Sequence, residues 1–146
     1  EDEKPLEWTI NNDILYSLLC ISFFADQEID ESEKTVIFES YCNFVSNVTN
    51  ESFNTEFGMA TDKFIDLKSE EARQEQFDNS LLAIKGSKEY DNETLNQLIH
   101  SYIDIANADD FIHENEVTLI QHAITIWELK MEINKPKSGE KLRIKE

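Results

Sequence analysis

Apolar residues recur every three or four positions along most of the chain, which is the period of an amphipathic α-helix. The first such run begins near Asn11 or Asn12, either of which can cap a helix, and it ends near Ala25. Because this run is apolar on most sides, we expect it to be the central helix of a bundle. Its apolar positions are Ile14, Leu15, Leu18, Leu19, Ile21 and Phe23.

The second predicted helix begins at about Glu31, since Asp30 and Glu33 have the spacing of a capping box. It ends near Thr49 and Asn50. The next stretch, residues 51–68, is also helical in its spacing. The pattern leaves open whether a glycine in its middle, at position 58, divides it into two short helices.

Three further helices follow in the second half of the chain. Ser69 is the expected cap of the first, which Gly86 terminates. Asp91 is the expected cap of the second, and His113 that of the last long helix. Periodicity is then lost over residues 130–146, where we expect an extended or mobile tail.

The composition agrees with an all-α fold in a single domain. Forty per cent of the 146 residues are apolar, whereas only three are Gly and two are Pro, which is a poor supply of turn residues for a β-rich chain. We therefore predict an N-terminal arm over 1–11, a helical domain over 12–129 and a basic C-terminal tail over 130–146. No apolar run has the length of a membrane span, and no signal peptide is visible.

The charge of the chain is strongly negative and unevenly distributed. The formal net charge is −18, yet residues 130–146 hold six Lys or Arg residues against three Glu, a net of +3, which leaves −21 for the rest. A body this acidic repels nucleic acid and anionic lipid, and it suits cations or basic partners. Solubility alone is an equally good explanation of the charge.

One motif occurs twice, as Ala25–Glu33 and Ala108–Glu116, and both copies read A-D-x-x-I-[D/H]-E-x-E. Each copy follows one apolar helical run and opens another, so each is predicted to be an acidic corner between two helices. Clustered carboxylates suit hard cations such as calcium or magnesium. Helix capping and solvation explain the same acids without a ligand. The corner is not an EF-hand, because Glu31 replaces the required glycine and Ile37 the last glutamate.

Other site chemistry is weak or absent. The chain has no Glu-x-x-His pair, no HExxH, no GxSxG and no P-loop, so we expect no enzyme. His100 and His122 are expected at the surface or its boundary. Cys20 and Cys42 are expected to be buried free thiols, with a disulfide between the first two helices as the other option.

The second copy with its flanking residues, Ile105–Glu116, followed by an apolar helix ending Ile126–Leu129, resembles the signature of the TerB-like tellurite-resistance family. That family repeats an A-D-G-x-I-x-x-x-E motif at two helical corners. In this chain Gln27 and Asp110 replace the family's glycine. The resemblance implies a bundle of about seven helices with two pseudo-symmetric hairpins. It also implies a cytoplasmic protein of bacterial stress or tellurite-resistance systems, with an acidic surface proposed to bind metal.

Carried over by this resemblance, the candidate metal ligands are Asp26 with Glu33 and Asp109 with Glu116, and Asp30 and His113 are auxiliary ligands. Our preferred hypothesis is a non-enzymatic stress-response module with one acidic pocket between its two corners, which binds a divalent cation, calcium or magnesium first. The alternative is a metal-free adaptor whose acidic face docks a basic protein partner. Neither hypothesis involves nucleic acid or membrane insertion.

Overall fold

The structure, a computed structural model, is mostly helical, which confirms the expected all-α class. It describes residues 8–26, 31–108, 112, 114–134, 136–137 and 140–145, without the side chains of residues 23–26 and 32. These ranges contain six helices and one small sheet. The helices are α1 (Ile10–Asp26), α2 (Glu31–Phe44), α3 (Asn50–Asp66), α4 (Glu70–Lys85), α5 (Asn92–Asn107) and α6 (Glu114–Ile126).

Helix α1 is the centre of the bundle, and each of the other five helices packs against it. Its apolar residues explain this position, because they surround the helix instead of forming one stripe. Those from Ile14 to Ile21 have no exposed surface. The expected central role of the first helix is therefore confirmed.

Helix caps account for several of the observed helix starts. As expected, Ser69 and Asp91 cap α4 and α5, and they accept the backbone N–H groups of Ala72 (3.1 Å) and Thr94 (2.9 Å). Two expected helix boundaries were wrong, the start of the first helix and the end of the second. Helix α1 begins after Thr9, whose backbone N–H donates to Asn12 Oδ1 (2.8 Å). Helix α2 already ends at Phe44, and Thr49 caps α3.

Helix α3 runs unbroken through Gly58, so this glycine does not divide residues 51–68 into two helices. A glycine inside a helix costs only about 1 kcal/mol relative to alanine. Burial of the apolar face of α3 outweighs that cost. Phe53, Ala60 and Phe64 are the buried residues of that face.

Helices α4 and α6 lie side by side and run in the same direction. His122 Nε2 lies 2.7 Å from Asp78 Oδ1. Further along α4 and one residue after the end of α6, the Trp127 indole N–H donates to the Leu81 carbonyl oxygen (2.9 Å). Their amino-terminal ends therefore point the same way, which fixes the site described below.

The described residues of the basic C-terminal segment form a folded hairpin on the helical bundle. Strand β1 (Glu132–Ile133) pairs antiparallel with β2 (Ile144–Lys145). Between these strands Leu142 is only 2% exposed, and its backbone N–H and C=O both bond the side chain of Asn107 at 2.9 Å. This part of the chain is extended as expected, but it packs against the domain.

The two cysteines differ in exposure. Both thiols are free, and Cys20 is buried in the core as expected. Cys42 is exposed, so its expected burial was wrong. His100 is exposed and His122 half-buried, as expected. In the described part of the chain, no helix combines the length and apolar character needed to cross a membrane.

Candidate functional site

The first acidic corner lies where the motif predicts it, between the end of α1 at Asp26 and the start of α2 at Glu31. Glu33, the last residue of the motif, is only 3% exposed. Its carboxylate accepts a hydrogen bond from the hydroxyl of Ser22 on α1, which is also buried. A carboxylate in the first turn is also favoured by the helix dipole. Glu33 therefore ties α2 to α1 inside the bundle.

The second corner follows the same plan. Helix α5 ends at Asn107, the Ala108 backbone N–H donates to the Ile105 carbonyl oxygen (3.1 Å), and α6 begins at Glu114. Glu116 stands at the motif position of Glu33 and is only 2% exposed. Glutamate is rarely buried to this degree. Both copies therefore place their last acid in the interior.

The structure describes only part of the predicted ligand set. Asp30, Asp109 and His113 lie outside the described residues, and only the backbone of Asp26 is described. The meeting of the two corners in one pocket stays a prediction. Within the ranges that are described, no three His, Cys, Asp or Glu residues form a group that could hold a metal ion.

One cavity shows what surrounds the second corner. It has a volume of about 350 Å³ and lies between the middle of α2 and the carboxyl-terminal end of α5. The chain therefore enters the second corner beside α2, the helix that the first corner opens. The cavity is lined by Val36, Glu39, Ser40, Asn43, Asp104, Asn107 and Ala108.

A second surface, which we call the α4/α6 groove, was not predicted. It lies between the amino-terminal halves of the parallel helices α4 and α6 and has a volume of about 460 Å³. Four carboxylates line it, and no Lys, Arg or His is among its lining residues. These residues are Glu70, Glu71, Gln74, Glu75, Asp78, Asn115, Thr118 and Leu119.

The four groove carboxylates differ in what holds them. Glu70 and Glu71 lie in the first turn of α4, where the helix dipole favours negative charge. Asp78 Oδ1 accepts a hydrogen bond from Gln74 Nε2 (3.0 Å) and contacts His122. Glu75 lies beyond the first turn and is exposed. The helix dipole or a side-chain contact thus stabilises the acids at both ends of the groove, whereas neither is described for Glu75 in its middle.

The sequence contained part of the signal for this groove. The cap at Ser69 and the acids at helical spacing after it predict one acidic helix face. The second wall, with Asn115, Thr118 and Leu119, comes from a helix more than thirty residues later in the chain. Only the tertiary packing of α4 against α6 brings the two walls together.

A buried carboxylate elsewhere has a structural explanation. Asp13 on α1 accepts hydrogen bonds at Oδ1 from the Trp8 indole N–H and the Ser80 hydroxyl, both at 2.9 Å. Burial raises the pKa of Asp13 above its ordinary value, and these two hydrogen bonds oppose the rise. Asp13 thus joins the segment before α1 to α4.

Comparison of the chain with family models, curated proteins and solved structures finds no match. The functional argument therefore depends on the geometry of the described residues and on the repeated motif.

Proposed function

We propose that this protein is a non-enzymatic interaction module whose acidic face docks a basic protein partner. The observation that carries the proposal is the α4/α6 groove, where four carboxylates line one concave surface without a cationic lining residue. Opposite charge across an interface speeds association and selects the partner. The net charge of −18 extends the same attraction over the whole molecule.

We further propose that the module is TerB-like, with the hairpins α1–α2 and α5–α6 as its two pseudo-symmetric halves. Two features support this. Both motif copies join the end of one helix to the start of another, and both bury their last glutamate, Glu33 and Glu116. The proposal includes the family's bundle of about seven helices and a place in a bacterial, cytoplasmic stress-response or tellurite-resistance complex.

The docking proposal is tested by titrating the full chain into a fluorescein-labelled, arginine-rich peptide and measuring fluorescence anisotropy. We expect binding at low salt that is unchanged by EDTA and weakens strongly between about 50 and 500 mM salt, because exposed charges are screened over a few ångströms at high salt. Failure to bind this peptide at low salt would refute the proposal.

A second candidate function is binding of a divalent cation, calcium or magnesium first, at the two corners. The observation that favours it is the matched burial of Glu33 and Glu116, which places one carboxyl group inside the bundle at each corner. The candidate ligands remain those of the sequence prediction. One of them, Glu33, already accepts a hydrogen bond from Ser22, so any cation would share that carboxylate.

Calorimetry and thermal unfolding with calcium, magnesium, manganese and zinc test the cation candidate. A ligand present at a hundred times its dissociation constant stabilises the native state by about 2.7 kcal/mol. Absence of both heat and stabilisation at millimolar metal would eliminate this candidate and leave the docking proposal unaffected.

A further inference from the structure

A single stripe of α4 extends from the groove to an exposed apolar side chain. Glu71, Glu75, Asp78 and Leu82 follow one another at intervals of four, three and four residues, so they lie on one side of the helix. At 1.5 Å per residue the stripe is about 16 Å long. We call it the α4 stripe.

Leu82 gives this stripe an apolar end. Its side chain is 55% exposed, and among the described residues only one other large apolar side chain, Ile65 at 49%, is comparably exposed. A single exposed leucine is ordinary on a protein surface. Here, however, it continues a row of acids on the same side of a helix, so the stripe combines negative charge with apolar contact area.

The surroundings of the stripe leave its negative charge available to a partner. His122 faces Asp78 from α6. Beyond Leu82, the ammonium group of Lys85 binds Glu128 Oε2 (2.9 Å) and the Ile126 carbonyl oxygen (3.0 Å). Neither of these two basic side chains makes a described hydrogen bond or ion pair with Glu71 or Glu75.

We infer that the occupant of the groove is a segment of a partner protein with two Lys or Arg side chains one helical turn apart, followed by an apolar residue. This inference deepens the proposed docking function and depends on it. Cations spaced by one turn match Glu71 and Glu75, which are themselves one turn apart on α4. The apolar residue of the partner packs on Leu82.

The size of the groove indicates how this segment sits. A helix with its side chains is about 10 Å or more across. A groove with a volume of about 460 Å³ is too small to enclose a body of that width along the stripe. It therefore accepts long side chains and not a whole helix. The partner segment lies along the mouth of the groove, parallel to the α4 stripe, and inserts its cationic side chains between α4 and α6.

The test uses a labelled peptide with arginines at positions i and i+4 and a leucine at i+11, two turns after the second arginine, as Leu82 follows Glu75. It is titrated with the full chain. The double variant Glu71→Gln/Glu75→Gln is compared with Glu89→Gln/Glu93→Gln, which removes two exposed acids outside the groove. We expect the groove variant to weaken binding by about 3- to 10-fold and the control by less than about 2-fold, since exposed ion pairs contribute modestly.

The apolar end of the stripe is tested with Leu82→Ala against Ile65→Ala, the same change at the other exposed position. We expect the affinity for the peptide to fall by about 3-fold or more for Leu82→Ala and to stay unchanged for Ile65→Ala. Circular dichroism confirms that each variant is folded.

Three outcomes would overturn the inference. Equal losses of peptide affinity in both charge variants would show that the peptide responds to the net charge of the protein. The docking function would then survive, but not at this groove. Displacement of the peptide by spermine together with no effect of Leu82→Ala would show a site for small polycations. No binding by the wild-type chain would remove the docking function as well.

Discussion

The hydroxyl of Ser22 donates a hydrogen bond to the carboxylate of Glu33, and both groups are buried. This contact joins α1 to α2 directly behind the first acidic corner. Eighty-three residues later, the position that corresponds to Ser22 in the second motif copy is Ile105. An apolar side chain therefore stands before the second corner at the position where a hydroxyl stands before the first.

The Ser22–Glu33 contact predicts a large stability loss for Ser22→Ala. Hydrogen bonds to charged groups contribute about 1.5–3 kcal/mol, and a buried carboxylate that loses one of its donors stays desolvated. We expect urea unfolding to show a loss of this size. The control is Thr125→Ala, which removes an exposed hydroxyl bonded to the Gln121 carbonyl oxygen. A loss at Ser22 no greater than that of the control would contradict the structural role.

Gly58→Ala should stabilise the protein. Gly58 lies inside α3, and no atom lies within 4 Å of the Cβ that alanine would add. Alanine has a higher helix propensity than glycine and reduces the conformational entropy of the unfolded chain. Together these effects raise the free energy of unfolding by about 0.5–1 kcal/mol. Chemical unfolding measures the gain. Gly86→Ala, at the end of α4, should gain less, and a loss at Gly58 would show that α3 is interrupted there.

Asp13→Asn should stabilise the protein increasingly as the pH rises. Burial raises the pKa of Asp13 in the folded state. The protonated carboxyl group of Asp13 therefore stabilises the folded state fully below the unfolded-state pKa, and this stabilisation is lost as the pH rises through the folded-state pKa. Asparagine keeps the acceptor for Trp8 and Ser80 without the charge. Urea unfolding of both proteins from pH 3 to 8 measures the difference, and a difference independent of pH would refute the argument.

Asp91→Asn is the matched comparison, and we expect its effect on stability to depend on pH in the opposite direction. Hydrogen bonds from the backbone and side chain of Thr94 lower the pKa of Asp91. The ionised carboxylate of Asp91 therefore stabilises the folded state above the unfolded-state pKa, and this stabilisation is lost as the pH falls through the folded-state pKa. We expect the wild-type chain to be the more stable of the pair at neutral pH, with the difference vanishing in acid. Asparagine remains a good helix cap, which isolates the effect of charge.

Leu142→Ala should destabilise the whole domain. Leu142 is buried between the hairpin and the helices, and truncation of a buried leucine costs about 2–5 kcal/mol. Ile144→Ala removes a half-buried side chain of the same hairpin and should cost less. Thermal unfolding followed by tryptophan fluorescence, to which Trp127 in the core and the partly buried Trp8 both contribute, reports both losses. An unchanged melting temperature for Leu142→Ala would mean that the hairpin is not part of the cooperative fold.

Local signals in the sequence were sufficient for most of the helical framework. Ser69 and Asp91 act as caps because their side chains reach backbone N–H groups only three residues away. The apolar spacing from Ile14 to Ile21 was sufficient to identify the central helix. Such features depend on neighbours along the chain, so a single sequence contains them.

Features that depend on distant residues could not be predicted. The hairpin is held by Asn107, thirty-five residues before Leu142. The groove needs α4 and α6 to pack in parallel. Gly58 shows a different difficulty, because a weak local preference for a break is overcome by burial of Phe53 and Phe64. Cys42 lies in an apolar run but on the exposed side of α2.

The candidate site was predicted in part. The corners lie where the motif places them, and the burial of Glu33 and Glu116 gives the motif a structural role. The aspartates of the corners and their proposed cation remain predictions. The acids that line the described groove come from α4, outside both motif copies. The repeated motif thus predicted the corners, whereas no motif marks α4, whose carboxylates line the groove.

The central place of α1 has a consequence for synthesis. Among the described helices it is the first to be translated, yet the helices that cover it are all made later, with α6 last. A nascent chain will therefore carry part of this apolar helix uncovered until α6 has left the ribosome, although α2 and α3 can cover other parts of it earlier. Its interval of greatest exposure to chaperones or to misassociation therefore falls during translation.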